Sequence, residues 1–227
     1  SFAPGSDFQD LAAGETRDVT VQVTATDAQG ETAVNDVTIT VTGTNDAPTL
    51  AAFVTPVGAV EDGPSADVDL AALGADVDSD DDGSTLTYSV TSAPTEGDAS
   101  ITGGTSSTNA NTLTFAPGSD FQDLNAGETR DVTVEVTAED AQGETVARDY
   151  TITVTGTNDA PTLTAGSGAA DEDGSPIVVD LAALGDDADA EDDGTTLTYS
   201  VTGNPSEGSA SIRAEEHTYE LQSHIVI

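Results

Sequence analysis

The chain repeats itself, and this repetition limits what it can fold into. The segment FAPGSDFQDL occurs at residues 2–11 and returns at 115–124, and GTNDAPTL occurs at 43–50 and returns at 156–163. LTYSVT appears at 86–91 and again at 197–202. A fixed period of this kind is the signature of tandem structural units. The sequence therefore predicts serial copies of one unit of about 112 residues.

Within each unit, apolar residues occur at every second position. Val19, Val21 and Val23 alternate with polar residues, and Tyr150, Ile152 and Val154 alternate with threonine. Such alternation is typical of strands that bury one face. Pro-Gly, Asn-Asp and Asp-Gly steps separate the strands, and no helical period is present; DLAALG at 69–74 and 180–185 predicts at most one turn. We predict an all-β fold, a β-sandwich of about seven strands per repeat.

The linkers divide these repeats. NDAPTL at 45–50 and 158–163 carries a proline that interrupts strand pairing. We expect residues 1–48 to be the C-terminal half of one sandwich and 49–161 a complete sandwich. Residues 162–212 are then the N-terminal half of the next. Because neither half closes a two-sheet core alone, the halves are expected to be less stable than the middle repeat, or to complement one another within or between chains.

The two ends of the sequence break the pattern. The chain begins within a strand-like segment, SFAPGSDF, so we expect it to be a piece of a longer protein. After Ile212 the repeat gives way to an off-register tail at 213–227, which contains both histidines, His217 and His224. We expect this tail to take no part in the function of the repeats.

The charge balance excludes several classes of partner. Asp and Glu total 43 against 4 Lys and Arg, for a formal net charge of -39. Such a chain has too few cationic groups to replace the counterions of nucleic acid or anionic lipid, and no apolar run is long enough for membrane insertion. Divalent cations are the partners it favours. Strong acidity with 4% aromatics also occurs in disordered chains, an alternative for the ion-free state.

A run of aspartates at 76–82 suggests a metal-binding loop. Asp78, Asp80 and Asp82 precede Gly83 in the pattern D-x-D-x-D-G, and the second copy reads Asp189, Glu191, Asp193. Ca²⁺ takes six to eight oxygen ligands, so alternate carboxylates in a tight loop make a partial site. The alternative is a solvated acidic turn. The loop is not an EF-hand, because the twelfth position is Ser89 and the flanks are strand-like.

Other loops must complete the coordination shell. The candidates are acidic or amide residues in the EDG, linker and A-x-D segments. They are Glu61, Asp62, Glu172, Asp173, Asp27, Asp140, Asn45, Asp46, Asn158 and Asp159.

Several of these segments also carry a family resemblance. VTATDAQGETAVNDVTITVTGTNDAPTL resembles the last two strands and the linker of cadherin-like repeats. With EDG, LTYSVT and FQDLAAGE, the unit resembles the VCBS/cadherin-like repeats of bacterial RTX-type adhesins and large surface proteins over residues 1–212. The resemblance implies tandem extracellular Ig-like sandwiches that Ca²⁺ stiffens near domain junctions. Its matching positions are Asp27, Asp140, Asn45, Asp46, Asn158 and Asp159.

The match to cadherins is incomplete. Gly43 and Gly156 stand where the cadherin linker begins with an aspartate, and an LDRE-type element is absent, so we expect one site per domain. The glycine-rich nonapeptides of RTX proteins are also missing.

Three functions follow for comparison. The first is a non-catalytic, Ca²⁺-stabilised spacer of a secreted or cell-surface bacterial adhesin, which supports cell adhesion or biofilm formation. The partners of this spacer would be calcium ions and the neighbouring repeats of the same chain. The second is a carbohydrate-binding module that recognises polysaccharide, for which Phe53 is the main aromatic candidate. The third is an enzyme, for which the chain has no Cys or Lys and no His within the repeats. We expect no enzymatic activity.

Overall fold

The computed structural model describes residues 1–53, 55–102, 111–217 and 220–226, with the backbone alone described for 214–217 and 220–226. The described residues form strands, turns and loops and contain no helix. This confirms the predicted all-β fold. DLAALG at 69–74 forms a turn between two strands, as expected.

The strands follow the repeats in the sequence. The first copy contributes β1 (Thr16–Thr26) and β2 (Thr32–Thr42). The middle copy contributes nine described strands, of which β3 and β6 have two residues each: β3 (Thr49–Leu50), β4 (Val57–Val60), β5 (Ala66–Asp69), β6 (Gly74–Ala75), β7 (Thr87–Ser92), β8 (Asp98–Thr102), β9 (Thr112–Ala116), β10 (Thr129–Glu139) and β11 (Thr145–Thr155). The third copy and the tail contribute β12 (Thr162–Leu163), β13 (Val178–Asp180), β14 (Gly185–Asp186), β15 (Ser211–His217) and β16 (Glu220–Val226).

The chain packs into two compact units. The first comprises Ser1–Val57, Ser65–Ala116 and Val132–Ile152. The second comprises Gly58–Pro64, Pro117–Asp131 and Thr153–Ile227. One predicted linker lies in each unit, 45–50 in the first and 158–163 in the second. The predicted domain boundaries stay a prediction.

The first unit contains a complete core. This core contains the sheet β5-β9-β8. It also contains the paired strands β7 and β10, which belong to the sheet β4-β11-β10-β7. Alternate residues of β9 and β10 point inward, and Leu113, Phe115, Val134 and Val136 are fully buried. This pattern of two inner faces filled by alternate side chains is that of a β-sandwich.

The hairpin β1·β2 also belongs to the first unit. Its strands pair antiparallel over their whole length, from Thr16↔Thr42 to Thr26↔Thr32. Val19 pairs with Ile39 and Val21 with Val37, so the apolar residues of both strands share one face. Most of this face is exposed to solvent, whereas the equivalent face of β10 is buried.

In the second unit, the third copy reproduces part of the middle one. β12 pairs with β14 as β3 pairs with β6, and the sheet β13-β16-β15 corresponds to β5-β9-β8. β16 lies in the off-register tail, and it pairs with β13 through Val178↔Val226 and Val179↔Ile225. The backbone of the tail therefore takes the position that β9 has in the middle copy. Residues 218, 219 and 227 lie outside the described residues.

Candidate functional site

In the first unit, the linker contacts two loops of the middle repeat. The main-chain N–H of Asp46 donates to Oδ2 of Asp78 at 2.9 Å, in the loop that follows β6. The side-chain amide of Asn45 donates to Oδ2 of Asp140 at 2.8 Å, immediately after β10. Two predicted linker ligands and two predicted loop ligands thus lie together, held by the residues just before β3.

The two carboxylates differ in their hydrogen bonding. Asp140 is buried, which disfavours its charge, but hydrogen bonds from Asn45 and from the main-chain amides of Glu144, Gln142 and Gly143 outweigh this and hold its pKa below the ordinary value. Asp78 is 3% exposed, and burial raises its pKa, with nearby Asp76 adding to the effect. Asp78 is therefore a carboxylate whose negative charge is poorly compensated.

Several buried oxygens around this linker have no hydrogen-bond partner. In a folded protein such atoms are few, and each calls for an explanation such as a bound ion or water. Those of the first unit are Asn45 Oδ1, Asp76 Oδ2, Asp78 Oδ1 and Asp81 Oδ2. All four are oxygen donors of the kind that Ca²⁺ prefers.

The second unit repeats the arrangement. The main-chain N–H of Asp159 donates to Oδ2 of Asp189 at 3.1 Å, and Oδ1 of the buried Asp189 has no partner. Burial raises the pKa of Asp159, and the charges of Asp62, Asp189 and Asp187 raise it further. Oδ2 of Asp159 is also unpartnered. The same linker residue and the same loop residue are therefore joined in both copies.

Glu61 hydrogen-bonds to Thr157, the residue just before the second linker. It lies directly after β4, where its N–H donates to the carbonyl of Thr155 at 3.1 Å, and it is 2% exposed. Its Oε1 accepts hydrogen bonds from the main-chain N–H and the hydroxyl of Thr157. Its Oε2 has no partner. Asp62 is exposed and accepts hydrogen bonds from Thr157 and Gln122.

The acidic loop also contacts the preceding copy of the repeat. In the first unit, Ser79 donates through its N–H to the carbonyl of Asp10 at 3.1 Å and through its hydroxyl to Glu15 at 2.8 Å. In the second unit, the N–H of Glu191 donates to Oδ1 of Asn125 at 2.9 Å. Each acidic loop thus hydrogen-bonds to the FQDL segment or the residues just after it.

Other predicted ligands are placed elsewhere. Oδ1 of Asp82 accepts hydrogen bonds from the main-chain N–H groups of Ser84 and Thr85 and from the Ser84 hydroxyl, and these bonds lower its pKa. Asp193 makes the same turn with Thr195 and Thr196. These two carboxylates accept hydrogen bonds from the main chain of their own turns.

The remaining candidates are exposed. They are Asp80, Glu191, Asn158, Asp27, Glu172 and Asp173. Asp27 accepts hydrogen bonds from the N–H groups of Gln29 and Glu31 within its own turn. Glu172 is the counterpart of Glu61, which is buried next to the end of β11.

The sequence reading missed Asp76, Asp81 and Asp187. Oδ1 of Asp76 accepts the N–H of Asp78 at 3.1 Å, and Asp187 does the same for Asp189. The signal was present, because the alternation of aspartates starts at Asp76 rather than at Asp78. The D-x-D-x-D-G pattern that starts at Asp78 ends instead on Asp82, which accepts hydrogen bonds within its own turn.

The linker and acidic-loop residues have the oxygen donors that a hard cation prefers, and several of these oxygens have no hydrogen-bond partner. Among the described residues, however, no group of three or more His, Cys, Asp or Glu side chains is placed to hold a metal ion. Ca²⁺ also accepts amide oxygens, main-chain carbonyls and water. An ion near Asp78 would therefore be held by that carboxylate with Asn45 and further oxygens of these kinds.

The aromatic residues offer little surface for sugar stacking. Phe53, the main candidate, stacks on Tyr150 with ring centroids 4.4 Å apart, so one ring face is covered. Phe115, Phe121 and Tyr88 are buried in the core.

The comparison with protein families agrees with this architecture. Residues 45–155 match the model of the family described as Bacterial Ig domain. The chain carries an Ig-like, cadherin-like repeat.

The similarity to one solved structure of cadherin domains, at a TM-score of 0.50, supports this fold. Protocadherin Gamma B7 extracellular cadherin domains 1-4 align with 93% of this chain at 18% identity and a TM-score of 0.50. Drosophila N-cadherin EC1-4 aligns with 69% of the chain at 20% identity and a TM-score of 0.41. The chain spans 48% and 37% of the lengths of these two structures.

No curated protein is significantly similar to this chain in sequence. The part of the chain that the structure describes contains no helix of the length and apolarity required to cross a membrane. Ig-like and cadherin-like modules of this type are typical of extracellular or surface proteins and are typically non-enzymatic.

Proposed function

We propose that the chain is a non-catalytic spacer of a secreted or cell-surface bacterial adhesin, in which Ca²⁺ bound at the linkers stiffens successive repeats. The adhesin would be of the RTX type with VCBS-like repeats, acting in cell adhesion or biofilm formation. The observation that supports this best is the linker contact present in both units, Asp46 to Asp78 and Asp159 to Asp189. In each pair the buried aspartate keeps one oxygen unpartnered.

The proposed role of the ion follows from charge. Each linker brings several carboxylates together in a chain of net charge -39, and no lysine or arginine neutralises Asp78 or Asp189 in the contacts described above. Like charges at about 4 Å repel by about 1 kcal/mol even in bulk water. A divalent cation bound between the carboxylates replaces this repulsion with attraction. It also joins the linker to the loop of the next repeat, which restricts bending between them.

The same geometry argues against catalysis. The carboxylates lie in linkers and acidic loops, and their hydrogen bonds come from main-chain amides and short polar side chains. A glycoside-hydrolysing pair instead requires one carboxyl in an apolar pocket. The arrangement suits binding an ion and fixing a linker.

The test is thermal unfolding of the 227-residue protein in Ca²⁺, in Mg²⁺ and in chelator. We expect Ca²⁺ to raise the Tm, because an ion that binds only the folded state stabilises it by about 2.7 kcal/mol per site at a hundredfold excess over Kd. Mg²⁺ should have a smaller effect, because it demands a stricter octahedral shell.

Hydrogen exchange locates the effect. The main-chain N–H groups of Asp46 and Asp159 should become more protected when Ca²⁺ is added, because the ion fixes the carboxylates that accept them. The N–H groups of the β1·β2 turn, such as that of Gly30, serve as an internal control that should not change. A Tm and an exchange pattern that do not respond to Ca²⁺ would exclude the ion and leave a plain β spacer.

A further inference from the structure

The acidic loop of each repeat contacts the preceding repeat through its main chain. The N–H of Ser79 donates to the carbonyl of Asp10 at 3.1 Å in the first unit. At the equivalent position of the second unit, the N–H of Ala190 donates to the carbonyl of Asp123 at 3.2 Å. Because serine and alanine make the same bond, this contact depends on the path of the main chain and not on the side chain. Both acceptors belong to the FQDL segment.

A second hydrogen bond supports each contact, and its donor and acceptor differ between the two units. In the first unit, the Ser79 hydroxyl donates to Oε2 of Glu15 at 2.8 Å. In the second unit, where alanine has no hydroxyl, the N–H of Glu191 donates to Oδ1 of Asn125 at 2.9 Å. Asn125 stands where the first copy has Ala12. Two different side-chain arrangements thus support the same main-chain contact.

The start of the linker is held by the residues around the same segment. The N–H of Gly43 donates to the carbonyl of Glu15 at 2.8 Å, and the carbonyl of Gly43 accepts the N–H of Gly14 at 3.1 Å. A Cβ on Gly43 would overlap the carbonyl oxygen of Leu11, so glycine is required for this close approach. Gly156 makes the equivalent two bonds in the second unit. The linker therefore leaves the FQDL segment in a direction that the main chain fixes.

These hydrogen bonds close a ring across the junction between repeats. From Gly43 the linker runs to Asp46, whose N–H donates to Asp78 at 2.9 Å. The next residue, Ser79, returns to the FQDL segment through its bond to Asp10. Each link of this ring is a stretch of chain or a hydrogen bond, and none of these requires an ion. Because the linker is attached on both sides, the ring restricts the angle between the repeats.

The charge of the FQDL segment is neutralised where the acidic loop approaches it. Arg17 donates to the two carboxylate oxygens of Asp10 at 3.1 and 2.7 Å, and Arg130 makes the same pair with Asp123. Two of the four arginines of a chain without lysine thus occupy this one position of the repeat. Without the arginine, an uncompensated carboxylate would lie beside the aspartate run at 76–82, and like charges repel.

We propose that the FQDL segment of each repeat, with its arginine, is a docking site for the acidic loop of the next repeat and sets the orientation of successive repeats without a bound ion. Arg17 and Arg130 are positioning residues, because they neutralise the aspartate next to the docked loop. The inference goes beyond the proposed function, in which Ca²⁺ acts at the linker. The ion tightens an arrangement that the main-chain hydrogen bonds already set.

Hydrogen exchange of the 227-residue protein in chelator tests the docking site. The N–H groups of Ser79 and Ala190 should be protected in chelator, because their hydrogen bonds do not depend on the ion. Rapid exchange of both in chelator would overturn the proposal, whether or not Ca²⁺ restores their protection. Failure of the proposed function gives a different pattern, in which Asp46 and Asp159 do not respond to Ca²⁺ while Ser79 and Ala190 stay protected.

Arg17→Gln tests the role of the arginine. The substitution leaves the Asp10 carboxylate uncompensated beside the acidic loop. Exchange of the Ser79 N–H in chelator should become about fivefold faster, the factor that corresponds to a like-charge pair about 4 Å apart in water. Salt at about 1 M should restore most of the protection, because it shortens the Debye length from about 10 Å to about 3 Å. A loss of packing would not respond to salt in this way.

Arg148→Gln is the matched control for that variant. It removes the same charge from β11, where Arg148 donates to the carbonyl of Leu50 within the middle repeat. The exchange of the Ser79 N–H should stay unchanged in this variant. Equal effects of Arg17→Gln and Arg148→Gln, or an effect of Arg17→Gln that salt does not reverse, would refute the positioning role of the arginine.

Distances between spin labels test the orientation directly. The chain has no cysteine, so Thr20→Cys in β1 and Thr87→Cys in β7 place one label on each side of the first junction. Thr87→Cys combined with Thr102→Cys provides a reference pair within the middle repeat. In chelator, the distance distribution across the junction should be about as narrow as that of the reference pair, and Ca²⁺ should not move its maximum. A much broader distribution in chelator would show that hydrogen bonds alone do not set the orientation, and would reject the proposal.

Discussion

The main-chain N–H of Asp46 donates to Oδ2 of Asp78, while Oδ1 of the same buried carboxylate has no hydrogen-bond partner. The contact joins a linker to the acidic loop that follows it, and it recurs between Asp159 and Asp189. One carboxylate oxygen of Asp78 and of Asp189 thus holds the linker, and the other is available to coordinate a cation. This division of roles gives the first prediction.

Asp78→Asn should raise the Tm of the calcium-free protein and reduce the gain that Ca²⁺ gives. Burial raises the pKa of Asp78, so the folded state carries its charge at a cost that a neutral amide avoids. The asparagine oxygen can still accept the N–H of Asp46. The measurement is calorimetric unfolding of both proteins in chelator and in Ca²⁺.

Asp82→Asn is the matched control for that experiment. Asp82 is exposed, and its Oδ1 accepts three hydrogen bonds from Ser84 and Thr85. Its substitution should lower the Tm slightly and by the same amount with and without Ca²⁺. If Asp82→Asn abolished the Ca²⁺ response as well, Asp82 would be a ligand, as the D-x-D-x-D-G pattern predicts.

A second prediction concerns Gly83, at the end of the acidic run. A Cβ on this residue would overlap the carbonyl oxygens of Ala71 and Gly74. Glycine is therefore required here by the close approach of the main chain. Gly83→Ala should destabilise the middle repeat by about 1–3 kcal/mol or more.

The control is Gly58→Ala, in β4. The nearest atom to a Cβ there is the carbonyl oxygen of Thr153, at 3.9 Å. Alanine should be neutral or stabilising at this position by about 0.5–1 kcal/mol, because glycine weakens a strand. Chemical denaturation of both variants provides the comparison, and an equal loss of stability in the two would show that the space around Gly83 is not limiting.

The third prediction uses the internal repeat as its own control. Ile152 is 1% exposed in the core of the middle repeat, and its counterpart Ile39 lies half-buried on the apolar face of the hairpin β1·β2. Ile152→Ala should cost about 2–5 kcal/mol, because it leaves a cavity. Ile39→Ala should lower the free energy of unfolding far less, because Ile39 is only half-buried. Hydrogen exchange of β10 and β11 reports the first loss, and similar costs at both sites would mean that the hairpin is covered within a single chain.

These contrasts show which part of the fold the sequence determines. The alternation of valine and threonine predicts strands at both 16–42 and 129–155, and both segments form hairpins, because main-chain pairing along a hairpin is local. Burial is different: Val21 and Val134 have nearly the same neighbours in sequence but opposite exposures, because Val134 packs into the core of a complete sandwich. LTYSVT is a strand beside β10 and is not one at 197–202 for the same reason.

The candidate site follows the same rule. Residue type and spacing located the acidic loop and the linker, which the structure brings together. Spacing did not reveal that Asp82 is used by its own turn, because Ser84 and Thr85 lie within reach of its carboxylate. It also missed Asp81, whose Oδ1 accepts the hydroxyl of Thr85 and whose Oδ2 is buried without a partner.

The last prediction concerns alkaline pH. The Tyr88 hydroxyl donates to the carbonyl of Gly83 at 2.8 Å, and burial raises the pKa of Tyr88 to about 12. Because the folded-state pKa lies above the ordinary value of 10.0, this group favours the folded state fully below pH 10 and loses that contribution as the pH rises towards 12.

Tyr88→Phe should cost about 1 kcal/mol at neutral pH through the lost hydrogen bond. It should also lessen the fall in stability between pH 10 and 12, as measured by denaturant unfolding. Tyr199→Phe, at the less buried counterpart, is the control and should change this profile less; an unchanged alkaline profile in Tyr88→Phe would contradict the assignment.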